Sequence, residues 1–165
     1  RPDLRQKTGE ALARYEGTRF FRAGENGFGL DSAGLVRRGA LDALMTEGFQ
    51  TLNPYLARQS AAFWWSAWNI RQLSAGAGGK ARRLHRVTTL REAGLHLLYP
   101  GDFATLNDGS RALAYLGEGC WITTSAADQR AVILDPATSP HPALDQPATL
   151  WRWKHLILPR VRTPR

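Results

Sequence analysis

The chain has 165 residues, of which 43% are hydrophobic and six are tryptophan, so it can bury the core of one domain and lacks the composition of a disordered protein. Its net charge of +8, from 22 lysines and arginines against 14 acidic residues, favours anionic partners such as nucleic acid, acidic lipid surfaces or cell-wall polymers. The single cysteine, Cys120, excludes an internal disulfide, and no apolar run approaches the roughly 20 residues that span a bilayer.

The first predicted elements surround a glycine-rich loop at residues 23–29. Residues 3–15 are predicted to form a helix. Apolar residues after the loop recur at helical spacing, which predicts a second helix that Gly48 ends, with Ser32 at or near its first turn. One interpretation is that Asp31 or Ser32 caps this helix. The other is that the position is functional, because a helix N-terminus stabilises a charged nucleophile or a bound anion.

Aromatic and basic residues follow in the middle of the chain. Residues 55–73 are predicted to form a further helix whose aromatic side chains, Trp64 and Trp65 among them, either pack on the core or line a binding groove. Residues 80–86 and 160–165 concentrate positive charge, which indicates either a solvated face and tail or a surface for an anionic partner.

The second half of the chain predicts short antiparallel strands. Residues 107–110 have the composition of a hairpin turn. The predicted strands are residues 111–117, 120–124, 131–134 and 150–158, the last of them at a sheet edge. Helices therefore come first and strands later, an order typical of an α+β fold.

The segment 31–36, with the sequence Asp-Ser-Ala-Gly-Leu-Val, resembles the nucleophile motif of the NlpC-type cell-wall peptidases. These are papain-like cysteine peptidases that cut peptidoglycan stem peptides, and their motif is Asp-Cys-(Ser or Ala)-Gly-Leu-(Val or Ile) at a helix start. Here Ser32 replaces the cysteine. Residues 100–103 are similar to the family's Pro-Gly-Asp-Leu turn before its first barrel strand, and the resemblance covers roughly residues 10–50 and 95–135.

This resemblance implies a papain-like α+β fold in which N-terminal helices pack on a small antiparallel sheet or barrel. We expect a single domain over residues 1–165, with a helical insertion at about 52–90 and a basic C-terminal tail at 159–165. The resemblance also implies a periplasmic or extracellular location, with an export signal removed before Arg1.

The resemblance assigns three positions to catalysis, and none of them holds the residue that the family uses. Ser32 stands at the nucleophile, Arg111 at the histidine base, and Thr123 at the polar residue that orients the base. Arginine stays protonated and cannot accept a proton, and a serine hydroxyl without a base is a poor nucleophile. The sequence therefore predicts a peptidase scaffold that is catalytically inactive, either naturally or through mutation.

A degenerate site of this kind can still bind a ligand. Arg111 and the helix start near Ser32 are expected to form an electropositive pocket for a carboxylate of a peptidoglycan stem peptide or another anionic cell-wall ligand. Phe20 stands where the family usually has a tyrosine near the active site. The further candidate binding residues are Asp31, Phe20, Trp64 and Trp65.

Three alternatives stay open. The four histidines lack metal-ligand spacing, so we expect no metal and no cofactor, but His96 or His155 is a candidate replacement base. A second hypothesis is a non-catalytic interaction protein, such as a component of a secretion or phage-tail assembly. A third is a nucleic-acid-binding module built on residues 80–86, which is less favoured because the aromatic residues do not interleave with the arginines.

Overall fold

A computed structural model describes residues 2–26 and 28–157, and four α-helices precede the main sheet in these ranges. The helices are α1 (Pro2–Ala13), α2 (Ser32–Gln50), α3 (Pro54–Trp64) and α4 (Ile70–Ser74). Both α1 and α3 pack against α2, which is therefore the central helix. Gly39 of α2 allows the close approach of α1, because a Cβ at that position would lie 2.3 Å from Leu12 Cδ2.

The main sheet contains six strands within the described ranges. They are β3 (Ala81–Val87), β4 (Phe103–Leu106), β5 (Ala112–Gly117), β6 (Cys120–Thr124), β7 (Ala131–Leu134) and β8 (Ala148–Trp153). All neighbours pair antiparallel, in the spatial order β3-β8-β4-β5-β6-β7. A short hairpin of β1 (Glu25–Asn26) and β2 (Gly29–Leu30) lies just before α2.

The sheet is covered on both faces, so hydrophobic clusters form on each side of it. Neighbouring residues of a strand point to opposite faces. Accordingly, Ile122 belongs to the same buried cluster as Leu44 of α2, whereas Trp121 belongs to a second cluster with Leu144 from the loop between β7 and β8. The expected α+β fold, with N-terminal helices packed on a small antiparallel sheet, is confirmed.

The middle of the chain differs from the expectation of a helical insertion at about 52–90. Only part of this segment is helical, because residues 65–69 separate α3 from α4 and the basic residues after Lys80 form strand β3. β3 covers β8, which is therefore an inner strand rather than the edge strand expected at 150–158. The sequence pattern did not predict β3, because its charged residues interrupt the apolar pattern of a strand. An edge strand tolerates charge at its exposed positions.

Two further expectations concern the ends of the chain and the membrane. The basic tail expected at 159–165 lies outside the described residues. Within residues 2–26 and 28–157, no helix is both long enough and apolar enough to cross a membrane.

α2 ends in a turn that normally favours glycine. The amide of Leu52 donates to the carbonyl of Phe49 at 3.4 Å, and the amide of Asn53 donates to the carbonyl of Gly48 at 3.1 Å. This pair of bonds is the Schellman pattern, whose turn residue has a left-handed backbone. Leu52 has a φ of +47° and a side chain that is 86% exposed, so it bears the strain without burying its apolar group.

We predict that Leu52→Gly raises the free energy of unfolding by about 1 kcal/mol, because glycine adopts the left-handed conformation without steric strain. Urea unfolding followed by circular dichroism measures the change. Leu97→Gly is the matched control, since Leu97 is also exposed but lacks a positive φ, and this variant should gain no stability. A Leu52→Gly protein no more stable than the unmodified chain would contradict the assignment of strain.

Candidate functional site

The start of α2 is fixed by an aspartate cap. Asp31 precedes the first helical residue, Ser32, and its Oδ1 accepts a hydrogen bond from the amide of Gly34 at 2.6 Å. Its Oδ2 accepts a second bond from the amide of Ala23 at 3.1 Å, which ties the preceding loop to the helix. The N-cap interpretation of Asp31 therefore holds, and the cap offsets part of the positive potential that was expected at this helix start.

Ser32 and Thr123 both bind the backbone of Ala112, the first residue of β5. The Ser32 Oγ accepts a hydrogen bond from the amide of Ala112 at 3.1 Å. The Thr123 Oγ1 donates to the carbonyl of Ala112 at 2.7 Å. Both side chains are buried. These bonds join α2, β5 and β6 at one point, and they turn the Thr123 hydroxyl toward the backbone.

Ser32 and Arg111 line the same open cleft, which has a volume of about 440 Å³. Phe20 and Asp31, two of the candidate binding residues, also line it. The remaining polar or charged residues of its wall are Arg22, Asn69, Ser110, Thr124 and Ser125. The structure thus brings together four of the residues that the sequence singled out.

Trp64 and Trp65 do not line this cleft. α3 buries the face that carries Leu56 and Phe63, and the two tryptophans at its C-terminal end point away from that face. Both indole rings are exposed, and the guanidinium of Arg38 lies 5.8 Å from the ring centre of Trp64. Their expected contribution to the cleft is therefore corrected, because the buried stripe of α3 positions them on the outer surface.

Arg111 belongs to a charged cluster that the sequence analysis did not identify. Its Nη1 lies 3.2 Å from Asp128 Oδ2, and the other carboxylate oxygen of Asp128 lies 2.9 Å from Nε2 of His141. The Ser125 hydroxyl donates to Asp128 Oδ2 at 2.6 Å. All three charged or ionisable side chains are largely buried. Arg111 is thus held by a carboxylate that has two further hydrogen-bond partners.

The hydrogen bonds of His141 fix its tautomer. Its Nδ1 accepts a bond from the amide of Ala143 at 3.2 Å, so Nε2 carries the proton that points to Asp128. Both ring nitrogens therefore have partners within the protein. His141 joins the loop before β8 to the Arg111 cluster, and it does not face Ser32 as a free base.

Asp128 has a lowered pKa in this cluster. Burial raises the pKa, but hydrogen bonds from Ser125 and His141 and the charge of Arg111 outweigh it. The sequence indicated only weakly that Asp128 belongs to the site. A partly buried arginine requires a carboxylate partner, but the turn between β6 and β7 determines which acidic residue supplies it.

The two histidines named as replacement bases lie elsewhere. His155 packs against Phe63 and Trp153, and burial, with a smaller contribution from the charge of Lys80, lowers its pKa to about 3. His96 is exposed on a short turn between β3 and β4. Neither lines the cleft. The described residues also contain no group of three or more potential ligands that could hold a metal ion.

Comparisons with solved structures find chains of similar structure. No protein-family model and no curated protein sequence matches this chain. The chain is similar in structure to the crystal structure of the NlpC/p60 domain of the peptidoglycan hydrolase SagA, with a TM-score of 0.49 and 14% sequence identity. The match covers 87% of this chain and 95% of that domain.

We predict that Asp128 makes stability depend on pH in the acid range. Because its folded pKa lies below its unfolded pKa, its contribution is fully present above the unfolded value, about 3.9, and is lost as the pH falls through the folded value. Urea midpoints of the unmodified chain and Asp128→Asn should therefore differ most near neutral pH and converge in acid. Glu92→Gln, which changes an exposed carboxylate, is the control. A difference in urea midpoint between Asp128→Asn and the unmodified chain that stays the same at every pH would contradict the lowered pKa.

Proposed function

We propose that this chain is a catalytically inactive relative of the NlpC-type cell-wall peptidases, which binds a carboxylate of a peptidoglycan stem peptide. The observation that carries the proposal is that Arg111 and Ser32 line the same cleft. These are the two positions where the resembled family holds its base and its nucleophile. A cell-wall ligand implies a periplasmic or extracellular location for the protein.

The absence of a base supports inactivity. No histidine lines the cleft among the residues that the structure describes. Arg111 stays protonated, and both carboxylate oxygens of Asp31 already accept backbone amides. The hydroxyl of Ser32 accepts the Ala112 amide and has no partner that can remove its proton. A serine in this state is a poor nucleophile.

The hydrogen-bonding capacity of Arg111 supports ligand binding. Its Nη1 faces Asp128, whereas its Nε and Nη2 donate no hydrogen bond to the described protein atoms. A guanidinium has five N–H donors in a planar fork that fits a carboxylate with two parallel bonds. Arg22 adds a second positive charge to the wall of the cleft, against the single carboxylate of Asp31.

The second candidate is a non-catalytic interaction protein, for example a component of a secretion or phage-tail assembly. It is favoured by an exposed apolar surface where α2 turns into α3. The side chains of Phe49, Leu52 and Tyr55 are 73%, 86% and 56% exposed. Clustered apolar side chains on a surface are typical of sites that contact another protein.

We predict that the unmodified chain releases no free amines from peptidoglycan, and that the Ser32→Cys, Arg111→His double variant does. The double variant restores a thiol and an imidazole, and Asp128 remains beside position 111 to orient the ring. Its rate should exceed that of either single variant about 100-fold. Amine release by the unmodified chain would contradict inactivity, and release by no variant would favour the interaction protein.

We predict that Arg111→Gln weakens binding of a synthetic stem tetrapeptide about tenfold, because a charge-assisted hydrogen bond contributes about 1.5 kcal/mol or more. Isothermal titration calorimetry measures the affinity, and melting temperatures show whether the variant remains folded after Asp128 loses its ion pair. Arg14→Gln is the control, since Arg14 is exposed on the surface and does not line the cleft. Equal affinity of Arg111→Gln and the unmodified chain would remove the proposed binding role.

A further inference from the structure

A second cleft, of about 420 Å³, adjoins the cleft at Arg111. Ile70 lines both clefts, and the turn before β5 contributes Gly109 to one and Ser110 to the other. The two spaces therefore meet at α4 and at this turn. An elongated ligand that crosses this border would contact both clefts.

Positive charge without a counter-charge distinguishes the second cleft. Arg71 of α4 and Arg86 of β3 line it, and its described lining residues include no aspartate or glutamate. Neither guanidinium forms an ion pair with a carboxylate in the part of the chain that the structure describes. Two arginines without partners in a concave, hydroxyl-lined space favour an anionic group of a ligand.

Polar side chains from β4, from β8 and from the turn after β4 form the floor of the second cleft. Thr149 donates to Asn107 Oδ1 at 3.0 Å, which uses the acceptor of this amide and leaves its NH₂ group as a donor. Thr105 accepts a bond from the indole of Trp151 at 3.0 Å. The floor is thus held in place by bonds within the protein, and Asn107 adds a donor to those of the arginines.

The sheet sets the distance between the backbone of Arg86 and the start of β5, which follows Arg111 in the chain. Arg86 lies opposite Thr149, Thr149 opposite Thr105, and Thr105 opposite Ala112, the residue after Arg111. This row crosses from β3 through β8 and β4 to β5, which are three strand spacings, or about 14 Å along the sheet. A peptide of four extended residues spans about 13 Å.

We propose that the joined clefts bind an extended peptide of about four residues that has a carboxylate at each end. One carboxylate binds Arg111, and the other binds Arg71 and Arg86. This inference rests on the proposed function, and it adds the length of the peptide and the place of its second charge.

A peptide fits these clefts better than a single-stranded nucleic acid. Such nucleic acids are held by aromatic side chains on which their bases stack. The described lining of the second cleft contains no aromatic residue. The described lining of the first cleft contains a single aromatic residue, Phe20. The charges also lie at two separate places, whereas a phosphate backbone carries a charge at every nucleotide.

The test compares two probes on the full chain by isothermal titration calorimetry. N-succinyl-trialanine has a carboxylate at each end, and N-acetyl-trialanine has one at its C-terminus. We expect the succinyl probe to bind about tenfold more tightly, because exposed charge pairs each contribute a factor of about two to five. The Arg71→Gln, Arg86→Gln double variant should lose this tenfold difference and keep its affinity for the acetyl probe.

Arg82→Gln is the matched control on the same strand. Arg82 is exposed like Arg86 but lies opposite Arg152, whose side chain faces the other side of the sheet from that of Thr149. This variant should keep the tenfold difference. Equal binding of the two probes, or a difference that survives in the double variant, would overturn the second carboxylate site.

The outcomes separate this inference from the proposed function. If the acetyl probe depends on Arg111 but the succinyl group adds no affinity, the second site is wrong and the binding role of Arg111 stands. If neither probe binds, the peptide assignment fails. Tighter binding of an eight-nucleotide oligothymidylate, lost in the Arg71→Gln, Arg86→Gln variant, would overturn the peptide in favour of nucleic acid.

Discussion

The backbone of Ala112 is the point on which the arrangement of the site depends. Ser32 accepts its N–H and Thr123 donates to its C=O, so α2, β5 and β6 meet at two hydrogen bonds that are buried from water. Leaving a buried amide without a partner costs about 1–3 kcal/mol. Both side chains therefore have a structural role that needs no catalysis, and their bonds bring Arg111 to the edge of the cleft.

Arginine at position 111 changes which neighbours the site requires. A permanent charge in a largely buried place needs a carboxylate, and Asp128 supplies it with support from Ser125 and His141. In this cluster Asp128 and His141 both have partners within the protein, while Arg111 also lines the cleft. The geometry thus supports the proposed recognition of an anion, and the loop that carries His141 is tied to Asp128 and Arg111.

The order of the predicted elements was sufficient to predict the class of fold, and the resemblance to the NlpC-type motif implied that Ser32 and Arg111 share a cleft, which both residues line. The sequence was not sufficient for β3, whose basic side chains mask the strand pattern, or for the tryptophans, because periodicity did not identify the exposed face of α3. Asp128 could not be predicted, since its contact with Arg111 depends on how the turn between β6 and β7 folds back.

Nuclear magnetic resonance of the ¹⁵N-labelled chain tests the central claim most directly. On titration with a synthetic peptidoglycan stem tetrapeptide, the account predicts that the side-chain Nε–H signal of Arg111 and the amide signal of Ala112 both shift. The two signals should reach their final positions at the same peptide concentration. These nuclei lie at the guanidinium and at the bond to Ser32. Shifts confined to another surface, with both of these signals unchanged at saturation, would contradict it.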